Sequence, residues 1–162
     1  MQLNSTTDYS IRIMLYLALR QAIVNTTEIS EAMIVPLNNC RKIMQYLKKA
    51  KLIQPHPGVD GGYTLNKPAT EITLGEILWA IGEKPVLNRC LDQDHFCNRN
   101  AVETCLVRKV YEDIQFHIDR GFSTTLQMLV DENNGQGGER KSGSLSNPLL
   151  CMTGVKMPSE KI

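Results

Sequence analysis

The chain has no apolar run approaching the roughly eighteen residues that a membrane helix needs, so no bilayer span is expected. It opens Met1-Gln-Leu-Asn-Ser-Thr-Thr-Asp8 with no basic segment leading into an apolar one, so no secretory leader is expected. Neither charge dominates: 18 Lys and Arg against 17 Asp and Glu leave +1. Bulk charge therefore does not by itself argue for nucleic acid, and any basic surface must be local. A Cys-x-x-Cys pair, a glycine-rich phosphate loop and an acid–base pair at suggestive spacing are all missing. A redox enzyme using Cys97 or Cys105 as nucleophile would rest on the thiols alone, so an enzyme is not expected and no catalytic residue is assigned. There is no internal repeat.

What is present is a concentration of sulfur. Three of the five cysteines, Cys90, Cys97 and Cys105, are written C-x6-C-x7-C, with Asp92, Asp94 and His95 between them. In a reducing cytoplasm, the expected compartment, clustered thiols read as metal-binding or redox-active before they read as disulfides. Three thiolates are soft ligands for one inorganic centre, but a tetrahedral metal or cubane cluster needs a fourth ligand. One reading is structural zinc on the three cysteines and His95; the plain alternative for His95 is an exposed loop histidine. Cys40 on an apolar helix face and His117 in a long helix read as packing residues. Cys151 reads as an incidental thiol.

At 162 residues the chain supports one domain, or a small domain with appendages. Thr6-Thr7-Asp8 before Tyr9, Ile13, Tyr16 and Leu17 predicts a capped amphipathic helix, with Asp8 favoured in its first turn by the helix dipole. A second, short helix follows Thr26-Thr27 with Ile29, Ala32 and Met33 inward. A third starts at Pro36 and runs over Leu37–Ala50 with Cys40, Ile43, Met44 and Leu47 inward. Arg41, Lys42, Lys48, Lys49 and Lys51 populate the rest, with no acid between Pro36 and Lys51. That is the helix-turn-helix pattern, although a solvated basic face on an ordinary helix hairpin would look the same. Leu52–His56 and Gly62–Asn66, joined by Pro57-Gly58-Val59-Asp60-Gly61, predict a hairpin, and a hairpin after a basic third helix makes a winged helix. Thr73-Leu-Gly-Glu76 has capping-box spacing and opens a helix with Ile77, Leu78 and Ile81 inward. Trp79, the only tryptophan, reads as packing or interface surface. A long helix from Ala101 or Glu103 to Arg120, stopped by Gly121, carries the stripe Val107, Val110, Tyr111, Ile114 and Ile118. It has too little core of its own, so pairing with a second subunit is expected. Ser123–Val130 forms a last short helix able to cross onto that partner. From Asn133 onward composition predicts a disordered tail.

Four stretches carry a family resemblance: Thr7-Asp8-Tyr9-Ser-Ile-Arg12, Leu47-Lys-Lys-Ala50-Lys-Leu-Ile53, Gly61-Gly-Tyr63-Thr-Leu65-Asn-Lys-Pro68-Ala-Thr-Glu-Ile72, and the three cysteines. Through them the chain resembles the Rrf-two family of bacterial winged-helix regulators over roughly residues 1–132. It is similar to the NsrR-like, IscR-like and RirA-like iron–sulfur branches, NsrR-like foremost. The resemblance implies a cytoplasmic homodimer that represses transcription from a palindromic double-stranded DNA operator. Each half would carry an iron–sulfur cluster, 4Fe–4S ahead of 2Fe–2S, on Cys90, Cys97 and Cys105. IscR-like members place a histidine three residues past the last cysteine, where this chain has Arg108. NsrR-like members use an aspartate of the partner's first helix, and Asp8 matches that position. The resemblance further implies that Asn38, Asn39, Arg41 and Lys42 meet base edges or phosphates. Arg12, Thr27 and Ser30 would contact the backbone, with His56 and Gly58 on the wing. Many relatives have an arginine at the wing tip, where Pro57 stands here beside His56. Nitric oxide is the implied signal, with iron supply or cluster-biogenesis status as alternatives; a zinc-stabilised regulator without cluster sensing remains open.

The resulting expectation is a mainly α protein with a small β-hairpin. A winged helix-turn-helix domain over 1–84 precedes a cysteine loop over 85–105. A long dimerisation helix with a terminal short helix spans 106–132, and a tail occupies 133–162.

Overall fold

Helix α1 (Ser5–Arg20) is the axis of the structure, a computed structural model that describes residues 3–94 and 96–135. His95, Cys151 and the expected tail beyond 135 lie outside the described residues. The helix starts earlier than expected because Asn4, not a threonine, is its cap: the Asn4 side chain accepts the Thr7 N–H at 2.9 Å. Asp8 does sit in the first turn. Six consecutive residues, Ile13 to Ala18, are buried, so α1 is covered on nearly every side rather than along one stripe. Its neighbours are α2 (Thr26–Met33), α3 (Leu37–Lys49), α4 (Leu74–Ala80) and α6 (Leu126–Asn133).

Asn25 caps α2, and Ile34 in a left-handed conformation (φ 53°) turns the chain toward α3. Pro36 takes the cap position of α3 rather than its first turn, because its ψ of 130° is still extended. Cys40, Ile43, Met44 and Leu47 are buried as their spacing requires. The wing is β1 (Ile53–His56) paired antiparallel with β2 (Gly62–Leu65), Ile53 opposite Leu65 and His56 opposite Gly62. Val24, between α1 and α2, adds a bridge to Tyr63, with N–H to carbonyl distances of 3.1 and 2.9 Å. That close approach explains Gly62: a Cβ there would stand 2.4 Å from the Val24 carbonyl oxygen.

Thr73 and Glu76 form the expected capping box of α4, burying Ile77 and Leu78, while Trp79 points outward at 56 % exposure. The long helix α5 (Leu106–Phe122) differs from expectation at both ends. It begins at Leu106, because turns occupy the preceding residues and Cys105 is its cap; Gly121 lies within its last turn, and Ser123 ends it. The last helix also differs. Capped by Thr125, α6 folds back on α1 of its own chain and buries Leu126 and Val130 in the core. A bridge between Thr73 and Thr125 fastens its start to that of α4.

Candidate nucleic-acid interface and cysteine loop

Burying Cys40, Ile43, Met44 and Leu47 turns the opposite side of α3 to solvent. Asn38, Asn39, Arg41, Lys42, Lys48 and Lys49 are all exposed, and this face contains no acid. Thr27 is exposed at the start of α2. Ser30 is half-buried and its hydroxyl donates to the Val35 carbonyl at 2.7 Å, closing the turn between α2 and α3. Arg12 pairs with Asp8 one turn earlier, and its Nη1 donates to the Met33 carbonyl at 3.5 Å. Arg12 thus ties the end of α2 to α1, and Ser30 ties α2 to the turn before α3.

The wing tip is uncharged except for Asp60. His56 is half-buried with Nε2 2.9 Å from the Thr64 hydroxyl, Gly58 is exposed at φ 124°, and Val59 is fully exposed. No arginine is available there to enter a narrow minor groove.

Among its described residues, the cysteine loop between α4 and α5 holds one short 3-10 turn, Arg89–Leu91. Cys90, Cys97 and Cys105 are half-buried and none is in a disulfide. The N–H groups of Ala101, Arg99 and Asn100 point at the Cys97 sulfur and hold its thiol below the usual range, with the Arg99 charge adding to the effect. Cys105 caps α5 without a side-chain capping bond, leaving its sulfur for another partner. The loop's acids are already engaged. Asp94 is held below the usual carboxylate range by the Arg89 side chain and the Phe96 N–H, and Asp92 by the Gln93 N–H and Lys84.

Among the described residues, no three His, Cys, Asp or Glu side chains stand close enough to hold a metal ion. The donor set nevertheless suits a soft centre: three uncrosslinked thiols on one irregular loop. Arg108 is no ligand, because a guanidinium keeps its charge. Its Nη1 donates to the Cys90 carbonyl at 2.7 Å and its Nε to Glu112 at 2.8 Å. Sequence reasoning missed this role, and also that of Gln115, which contacts the loop backbone from two turns further along α5. Apolar periodicity marks the packed face of a helix and carries no sign of polar side chains that bind distant main chain.

No helix among the described residues is long and apolar enough to cross a membrane. The family profile described as Rrf2, iron-dependent transcriptional regulator, matches residues 3–132. The chain is 33 % identical over 95 residues to the HTH-type transcriptional regulator NsrR of Oceanobacillus iheyensis, covering 57 % of this chain and 65 % of that protein. It is 29 % identical over 136 residues to the HTH-type transcriptional regulator IscR of Photorhabdus laumondii, covering 83 % and 80 %. The solved structure of CymR, the global cysteine regulator of B. subtilis, superimposes with a TM-score of 0.69 at 20 % identity over 82 % of this chain and 98 % of that one, a likeness of fold. A basic third helix, a two-stranded wing and a match over nearly all the described residues agree, and the chain belongs to the Rrf2 family of HTH-type transcriptional regulators.

Proposed function

We propose that this regulator is a homodimeric, cytoplasmic repressor whose grip on a palindromic operator depends on an iron–sulfur cluster held by Cys90, Cys97 and Cys105. The observation that carries this reading is the placement of the three thiols. All lie on one irregular loop between the last helix of the winged domain and the exposed helix α5, and none is spent on a disulfide. The names of the NsrR and IscR relatives point the same way. A bound cluster supplies a centre that nitric oxide, oxidation or iron shortage can damage, with 4Fe–4S ahead of 2Fe–2S.

The chain's own residues supply the rest. Asn38, Asn39, Arg41 and Lys42 face the major groove, where asparagine addresses adenine and lysine meets phosphate. Thr27, Ser30 and Arg12 lie toward the backbone, and His56 and Gly58 set the wing. Asp8 of the partner subunit's copy of this chain is the proposed fourth ligand, a carboxylate weaker toward iron than thiolate. Leu106, Val107, Val110, Ile114 and Phe116 expose apolar surface along α5, which suits pairing with a second copy. The domain boundaries follow: 1–84 reads DNA, 85–105 holds the cluster, α5 pairs subunits, and α6 completes the DNA-reading core.

Air-free purification with iron and sulfide analysis tests this directly. Brown protein that loses operator affinity as nitric oxide bleaches its visible absorption is expected. If iron supply is the signal instead, chelation rather than nitric oxide releases the operator. Colourless protein containing zinc and no labile sulfide would replace the cluster with a structural metal.

A further inference from the structure

We propose that Arg108 and Gln115 are positioning residues that fasten the first limb of the cysteine loop, residues 85–90, to α5 as a single body, so that Cys90 and Cys105 share one frame. An irregular segment has no hydrogen-bond ladder of its own, so its main-chain groups must find partners elsewhere. Here two side chains of one helix face, seven residues apart, provide them. The Gln115 Oε1 accepts the Leu87 N–H at 2.7 Å, and its Nε2 donates to the Pro85 carbonyl at 2.9 Å and to Asp119 at 2.7 Å. A carboxamide meets both demands at once, with its oxygen as acceptor and its NH2 as donor. A glutamate would set an acceptor against the Pro85 carbonyl, and an aliphatic chain would leave both groups unpaired.

Arg108 holds the other end. Its side chain is 13 % exposed, and its rigid fork reaches the Cys90 carbonyl with one arm and Glu112 with the other. The Cys90 N–H donates to the Asn88 side chain at 3.3 Å, so the main chain of Cys90 is pinned on both sides. Cys105 caps the same helix three residues before Arg108. The carbonyl of one cysteine is therefore tied into the first turn of the helix that the other begins. The purpose of that frame rests on the proposed function, in which it would hold two sulfur ligands at a set spacing; the fastening itself does not.

The test uses the full chain, reduced and free of metal. In Gln115→Leu the Leu87 amide should exchange about fivefold or more faster relative to the core amides of Ile13 and Ile43, as the loss of one hydrogen bond implies. In Arg108→Gln, alkylation of Cys90 by iodoacetamide should rise several-fold relative to Cys97, and Arg108→Lys, which keeps a donor, should restore most of the difference. Where a variant loosens the whole fold, Ile13 and Ile43 report it, and the Leu87-to-Ile13 ratio remains the reading. An unchanged ratio, or Cys90 reactivity that moves only together with that of Cys97, overturns the proposal. Iron content enters neither measurement, so a protein that binds no iron would remove the proposed function and leave the fastening intact.

Discussion

Asp8 and Arg12 pair carboxylate to guanidinium across the first turns of α1, and Arg12 also reaches the Met33 carbonyl at the end of α2. The pair is half-exposed, so its direct worth to stability is small, about 0.3–0.5 kcal/mol for an i,i+4 ion pair. Asp8→Ala should therefore leave the melting temperature of metal-free protein nearly unchanged while iron is lost faster to a chelator. Equal iron retention in variant and parent would eliminate Asp8 as a ligand.

The basic face of α3 separates positioning from reading. Lys42→Ala should weaken binding to all sequences alike and reduce the slope of log K against log salt by about 0.9. Asn38→Ala or Arg41→Ala should cost about 1–3 kcal/mol on the operator and relax the preference at one base pair. Fluorescence anisotropy on specific and scrambled duplexes at several salt concentrations distinguishes the two patterns.

Gly62 faces the Val24 carbonyl too closely for any side chain, at 2.4 Å from an ideal Cβ. Gly62→Ala should destabilise the fold by about 1–3 kcal/mol through forced backbone displacement. Chemical denaturation measures this, and an unchanged midpoint would mean the Val24–Tyr63 bridge is dispensable.

Burial pushes the Cys40 thiol from its ordinary 9.0 up to about 11. The folded state keeps its proton where the unfolded chain has lost it. Stability from this group is complete below about pH 9 and falls by about 1.4 kcal/mol per unit until the folded value is passed. Urea titrations at pH 8 and pH 10 should show that loss in the parent and a smaller one in Cys40→Ala.

Val110 and Ile114 expose 58 % and 41 % of their surface on α5. Val110→Glu should convert a dimer to a monomer in sedimentation while leaving the helical circular dichroism intact. Operator affinity should fall steeply, because two linked heads bind a palindrome far more tightly than one. A monomeric parent protein would refute the pairing surface.

The elements of the winged helix were legible because their signals are local. Cys40, Ile43, Met44 and Leu47 recur at helical spacing, Thr73 and Glu76 sit where a capping box needs them, and Gly61-Gly62 marks a turn. The grouping of three thiols was likewise a matter of counting. Helix ends were less legible. The cap of α1 is Asn4 rather than a residue of the Thr6-Thr7-Asp8 stretch, and Gly121 was carried inside α5, because a cap or stop residue fixes a boundary only when the backbone around it permits.

Long-range decisions left no local trace. The sequence marks Leu126 and Val130 as one apolar face but does not say whose core receives it; the Thr73–Thr125 bridge and the surface of α1 assign it to the same chain. Arg108 and Gln115 look like ordinary polar positions of a surface helix, and only the return of the loop brings the main chain of residues 85–90 within their reach. Residue order states which groups want partners within one or two turns, since that geometry is common to every helix and hairpin. Which distant group answers depends on how the whole chain closes on itself.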